Sequence, residues 1–138
     1  MRFRPETNLA VVREGYERFN AGDLDWVMEH VHPDITWTDA PEIPDSRVYR
    51  GPAEVRHYLE SIHRNWEQIR FEPQEFHEEG DAIAVACRVA GRGLASGVDV
   101  DARVTHVWRM RDLRVTSIET YFGSRDAAAA LESEDSGE

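Results

Sequence analysis

Apolar residues along the first half of the chain recur every three to four positions, and after residue 68 they recur every two. In residues 7–20, Leu9, Val12, Tyr16 and Phe19 form one stripe, which predicts an amphipathic helix. Thr7 or Asn8 can cap its start, and Gly22 can end it in the left-handed conformation. Asp23 then caps a short second helix carrying Leu24, Val27, Met28 and Val31, which His32-Pro33-Asp34 stops. A third helix is expected from Pro52 to about residue 65, with Val55, Tyr58, Leu59, Ile62 and Trp66 on its buried side.

Period-two alternation sets the strands. A short strand is expected over 35–39, followed by a Pro- and Asp-rich loop over 41–46. Residues 69–78, 82–89, 98–110 and 115–122 read as four further strands in meander, with Pro73 marking an edge or a bulge in the first of them. A helical turn over 127–131 closes the domain. The order is helix, helix, strand, helix, then strands. It predicts an α+β fold: a cone-shaped, curved, mostly antiparallel sheet wrapped around three N-terminal helices. Such a sheet leaves a hollow open at one end, where small apolar ligands bind. The glycines at 91, 93 and 97 supply places to bend.

Composition narrows the partners. A length of 138 residues fits one domain, expected over 1–131, and residues 132–138 read as a disordered acidic tail. The net charge of −11 argues against nucleic acid and against anionic membrane surfaces. No apolar run is long enough to cross a bilayer and no signal segment stands at the N-terminus, so a cytoplasmic location is expected. All 16 basic residues are Arg, which removes lysine Schiff-base chemistry and a P-loop. The lone Cys87 removes an internal disulfide and a Cys-rich zinc site. His30, His32 and Asp34 invite a metal reading, but they sit at a helix end without the i, i+4 spacing that helical ligands use; no metal and no cofactor is expected.

The residue with the clearest chemistry is Asp39. It closes the strand Trp37-Thr38-Asp39 just before Pro41 and beside a large indole. A carboxylate among apolar groups becomes a base useful near neutral pH, whereas one in solvent merely caps a turn. Both readings stand at this point.

Three stretches carry a resemblance: Tyr16-Glu17-Arg18-Phe19-Asn20-Ala21-Gly22-Asp23-Leu24-Asp25, Tyr49-Arg50-Gly51-Pro52-Ala53-Glu54-Val55-Arg56, and His106-Val107-Trp108-Arg109-Met110-Arg111-Asp112. Together with the element order they resemble the nuclear transport factor 2-like superfamily, in its SnoaL-like polyketide cyclase and ketosteroid isomerase-like branches. The resemblance implies a cystatin-like roll and, in isomerases, a catalytic Asp just after the first strand, which Asp39 matches. It places Gly15 where those isomerases carry a helix-borne Tyr, with Tyr16 one step away, and Thr105 where they carry a strand-borne Asp. It also turns the Thr105 face of the long strand inward.

On that basis Asp39, Tyr16 and Thr105 are the candidate catalytic residues, and Trp37, Phe19, Tyr58, Trp66, Arg88, Arg103 and Phe122 the candidate ligand-binding ones. His106, Trp108 and Tyr121 would then face outward and form a homodimer interface. The expected function is binding of a small apolar or aromatic ligand, or cofactor-free cyclase or isomerase proton transfer on a small apolar carbonyl compound. The alternatives are a non-catalytic ligand-binding or structural dimer of the same fold, and an epoxide hydrolase, which needs an Asp–Arg–Asp set about one water.

Overall fold

A computed structural model describes residues 5–40 and 47–122. The 41–46 loop, the 127–131 turn and the acidic tail lie outside the described residues.

Helix α1 spans Asn8–Asn20, with the Thr7 side chain accepting from the Ala10 amide at 3.1 Å. It ends as the Asn-Ala-Gly-Asp corner predicts. Gly22 takes φ 82°, and the Asp23 amide returns to the Arg18 carbonyl at 2.8 Å. Helix α2 is only Leu24–Glu29, capped by Asp23 through the Trp26 amide at 3.2 Å. Strand β1 follows at once, Val31–Thr38. Val31 is therefore a strand residue and not the end of a helical stripe. Pro33 does not stop the chain, because the β1 register shifts between Val31 and Thr36 and the unpaired stretch accommodates it.

Strand β2, Val48–Arg50, is an element the sequence pattern does not announce. It pairs antiparallel with the end of β1 and leads straight into helix α3, Gly51–Asn65. Strands β3 (Trp66–Glu79), β4 (Ala82–Gly93), β5 (Asp99–Arg111) and β6 (Arg114–Phe122) form the expected meander. The sheet order is β2-β1-β6-β5-β4-β3, with β1 parallel to β6 and every other pair antiparallel. The fold class is the expected α+β.

The helices lie on one face of this curved sheet. Val11, Val12, Tyr16 and Phe19 of α1 and Val55 and Leu59 of α3 pack with Ile35, Ile83, Val85 and Ile118 in one core. The opposite face carries a second, smaller cluster of Ala82, Ala84 and Val107, with Tyr121 packed against it. No helix among the described residues is long and apolar enough to cross a membrane.

Candidate functional site

The inner face of β5 is the face that sequence reasoning placed outside. His106 pairs with Val85 and Trp108 with Ile83, and both aromatic side chains line a cavity bounded by α1, α2, α3 and the sheet. Thr105 and Val107 occupy the other face and are fully buried there. The hydropathy of β5 carried only a partial signal, since residues on both faces are buried. The Thr105 face bears Asp101, Arg103 and Arg109, whereas the His106 face bears Val104, Trp108 and Met110. His106 and Trp108 thus cannot contribute to an outer interface; of the three residues expected there, only Tyr121 lies on the outer face.

The cavity has a volume of about 50 Å³, and its walls are almost wholly apolar. Tyr16, Phe19 and Trp37 line it as expected, with Gly15 beside Tyr16. Phe71, Trp26 and His30 also line it and were not foreseen. His30 is stacked on Trp26 at 4.0 Å between ring centroids, and its Nδ1 lies 3.0 Å from the Trp26 carbonyl, so it is packed as a wall residue. Among the described residues no three His, Cys, Asp or Glu side chains gather as a metal site requires.

A hydrogen-bond chain joins three of the residues that line the cavity. Trp108 Nε1–H donates to the Tyr16 hydroxyl at 2.9 Å, and the hydroxyl lies 2.8 Å from His106 Nδ1. An indole is only a donor, so the hydroxyl accepts from Trp108 and bridges it to the imidazole. Burial disfavours the imidazolium and holds the His106 pKa down to about 4, so the ring is neutral. Burial also raises the Tyr16 pKa well above its ordinary value, so the hydroxyl keeps its proton. The Cys87 sulfur lies 3.9 Å from the same Nδ1; burial pushes its thiol up to about 12, so it is not a nucleophile.

Asp39 is buried, 6% exposed, directly after the end of β1. The Tyr58 hydroxyl donates to its Oδ1 at 2.8 Å, and its own amide donates to the Arg47 carbonyl at 3.2 Å. Burial raises its pKa; the hydrogen bond from Tyr58 opposes the shift. Tyr58 is stacked on Tyr49 at 4.3 Å, so β2 and α3 together hold the carboxylate. Asp39 does not itself line the cavity. The indole of Trp37 does, and it meets Tyr58 edge-on at 5.6 Å between centroids.

Register relates the two polar groups. Trp37 pairs with Ile118, which pairs with Trp108, making one row across the inner face. One row further, His106 pairs with Thr120, next to Glu119, which is the last β6 residue paired with β1, through Thr38. Asp39 follows Thr38 directly, so it and His106 lie on either side of β6, roughly 10 Å apart between backbones.

The remaining candidates lie elsewhere. Arg88 and Arg103 project from the outer face. Arg88 is paired with Asp101 at 2.8 Å and Arg103 reaches Gln74 at 3.4 Å. They are part of a solvated charge ladder, and alternation keeps them from the cavity. No Arg lines the cavity among the described residues, so the Asp–Arg–Asp set of an epoxide hydrolase is not assembled there. Trp66 packs against the core at the α3–β3 junction, outside the cavity wall. Phe122 is 41% exposed at the end of β6 and does not line it either.

With this geometry in view, the family is clear. The chain matches the model of the SnoaL-like domain over residues 12–118. No relative matches among curated proteins. Solved structures do. A nuclear transport factor 2-like protein of unknown function from Burkholderia pseudomallei is 27% identical, with a TM-score of 0.77 over 93% of this chain and 97% of that one. TerC, crystallised with polyporic acid, is 25% identical, with a TM-score of 0.75 over 94% and 98%. A SnoaL-like polyketide cyclase from Jannaschia, 15% identical with a TM-score of 0.74 over 95% and 96%, shares the fold. From its sequence match and its architecture alike, this chain belongs to the SnoaL-like domain family of the nuclear transport factor 2-like fold.

Proposed function

We propose that this protein binds a small, largely apolar carbonyl compound at the mouth of the cavity and moves a proton on it, as a cofactor-free cyclase or isomerase does, with Asp39 as the general base. The observation that carries this reading is the state of Asp39. It is a carboxylate 6% exposed, with its pKa raised by burial, positioned by a tyrosine hydroxyl at 2.8 Å. A raised pKa brings a carboxylate toward the range where it both accepts and returns a proton near neutral pH. Asp39 and His106 stand on either side of β6, roughly 10 Å apart between backbones, which leaves room for a small substrate between their side chains. His106, kept neutral, supplies a donor for the substrate oxygen while Asp39 takes the neighbouring proton. Thr105, on the outer face, has no part in this scheme; Tyr16 acts through His106. TerC, the relative crystallised with polyporic acid, gives the small-molecule reading a precedent in the same fold.

Proton abstraction next to a carbonyl can be followed without knowing the product. Small ketones in D₂O are to exchange their α-protons for deuterium faster with the protein than with buffer, and Asp39→Asn is to abolish the excess. Exchange that survives Asp39→Asn removes Asp39 as the base.

One observation favours a second reading, ligand binding without turnover. The Trp37 indole stands on the cavity wall where Asp39 does not. Under that reading ketones bind and no isotope exchange follows.

A further inference from the structure

Helix α1 lays an apolar stripe against the cavity, and the stripe has a gap in it. Val11, Val12, Tyr16 and Phe19 are buried there, and Gly15 stands among them on the cavity wall. A glycine inside a helix costs stability relative to alanine, so its place within a buried stripe has a reason in backbone or in space. The backbone does not require it: Gly22, Gly51, Gly80 and Gly97 are the described glycines with positive φ, and Gly15 is an ordinary helical residue. Close packing does not require it either. A Cβ built on Gly15 would meet no neighbouring heavy atom within 4 Å among the described residues, whereas one built on Gly91 would stand 2.8 Å from Ile69 Cδ1. The space over Gly15 is left open.

That space belongs to the cavity, which is not sealed and whose wall is almost wholly apolar. Polar atoms of the lining residues engage one another. Trp108 Nε1–H donates to the Tyr16 hydroxyl, the hydroxyl pairs with His106 Nδ1, and His30 Nδ1 pairs with the Trp26 carbonyl. Trp37 Nε1 is itself buried. A cavity of about 150 Å³ accepts benzene, roughly 25 Å³ for each carbon. On that scale the volume of about 50 Å³ has room for about two carbons.

We propose that the hollow over Gly15 is the subsite for a methyl or ethyl group of the ligand, and that Gly15, by lacking a side chain, sets this specificity. The subsite rests on the ligand-binding half of the proposed function and names the part of the ligand that enters the wall, the short alkyl end of the carbonyl compound. An alkyl group that enters leaves water and covers apolar wall, a gain of about fourfold in affinity per methylene. A hydroxyl of the same size gives up its water and finds no free partner on that wall. A ring exceeds the room.

The test uses full-length protein with ¹³C-labelled Val, Leu and Ile methyls and three probes: ethane under pressure, methanol and benzene. Ethane and methanol match in size and differ in polarity; benzene is apolar and larger. Ethane is expected to move the methyl resonances of Val11, Val12 and Leu59, which line the cavity, in a saturable way. It is expected to bind roughly tenfold more tightly than methanol, and benzene to leave those methyls unmoved. Gly15→Ala puts a methyl group where the ligand's would lie. It is expected to lower the unfolding constant roughly fivefold, since alanine favours the helix, and to weaken ethane binding roughly fourfold. Stability gained with affinity lost is a pairing that a purely structural glycine would not give. Methanol binding as tightly as ethane, benzene binding more tightly than ethane, or undiminished ethane binding by Gly15→Ala overturns the subsite. A Gly15→Ala chain that is destabilised or fails to fold overturns it too, because the space over Gly15 is then not open. None of the probes has a carbonyl, so none reports on Asp39. If ethane does not bind, the subsite falls and isotope exchange still judges Asp39; if exchange is absent while ethane binds, the base falls and the subsite stands.

Discussion

The hydroxyl of Tyr16 lies 2.8 Å from Nδ1 of His106, joining helix α1 to strand β5 across 90 residues of sequence. This contact holds the ring of the only imidazole on the inner face of β5. Removing the hydroxyl with Tyr16→Phe leaves the buried Nδ1 and the Trp108 N–H without their partner. A loss of about 1–3 kcal/mol is expected in denaturant unfolding. The ¹⁵N shifts of the His106 ring are expected to change, because Nδ1 loses the hydroxyl it pairs with. An unchanged ring spectrum would show that Tyr16 does not engage the imidazole.

His106 also gives the protein a pH dependence of known sign. Burial places its folded-state pKa at about 4, below the 6.5 of an unperturbed imidazole. Between those values the unfolded chain binds a proton that the folded chain refuses. The contribution is fully present above pH 6.5 and is lost as pH falls toward 4, by about 3 kcal/mol at most. Unfolding free energies measured across this window are expected to show a slope that His106→Gln flattens.

Asp39 carries the opposite sign. Its folded-state pKa is raised, so the folded chain holds a proton that the unfolded chain gives up. Stability falls as pH rises from 3.8 through the folded value, and Asp39→Asn is expected to remove that fall. The Tyr58 hydroxyl works against the shift, so Tyr58→Phe is expected to push the carboxylate still higher. A ¹³C titration of the Asp39 carboxyl reads this directly; a midpoint that stays put or drops in Tyr58→Phe contradicts the role given to the hydroxyl.

Gly91 is fixed by space. A Cβ added there would stand 2.8 Å from Ile69 Cδ1 and 3.1 Å from the Ile69 Cα on the facing strand. The side-chain tip can turn away, and the β3 backbone has to give by a few tenths of an ångström at the irregularity between Glu67 and Arg70. Gly91→Ala is expected to destabilise by about 1–3 kcal/mol in thermal or denaturant unfolding, without altering ligand selectivity. A neutral effect would mean that β3 moves freely at this point.

Much of this architecture is written locally. The stripe of α1, its Thr7 cap and the Gly22 stop are each dictated by residues within a few positions of one another, and they appear where the pattern puts them. The same holds for the four-strand meander and for Asp39 at the end of β1. Strand β2 was not legible because Val48–Arg50 is too short to show a period; it is a strand only because β1 lies beside it. Nor was the fate of Pro33, which would stop a regular strand and is tolerated because β1 shifts register there.

The long strand β5 marks the boundary most clearly. Alternation divided it correctly into a Thr105 set and a His106 set, because successive side chains of a strand must point to opposite faces. It could not say which set meets the helices. Residues on both faces are buried, Thr105 and Val107 on one and Val104 and His106 on the other, so burial leaves no simple apolar-in, polar-out record in the residues. That choice was made by the pairing of β5 with β4 and β6 and by the side of the sheet on which α1 and α3 pack. The sequence by itself determined most of the elements, the place of Asp39 at the end of the first strand, and the fold. Only tertiary packing decided that His106 and Trp108 meet Tyr16 inside while Arg88 and Arg103 meet water, since a one-residue difference in facing exchanges the whole set.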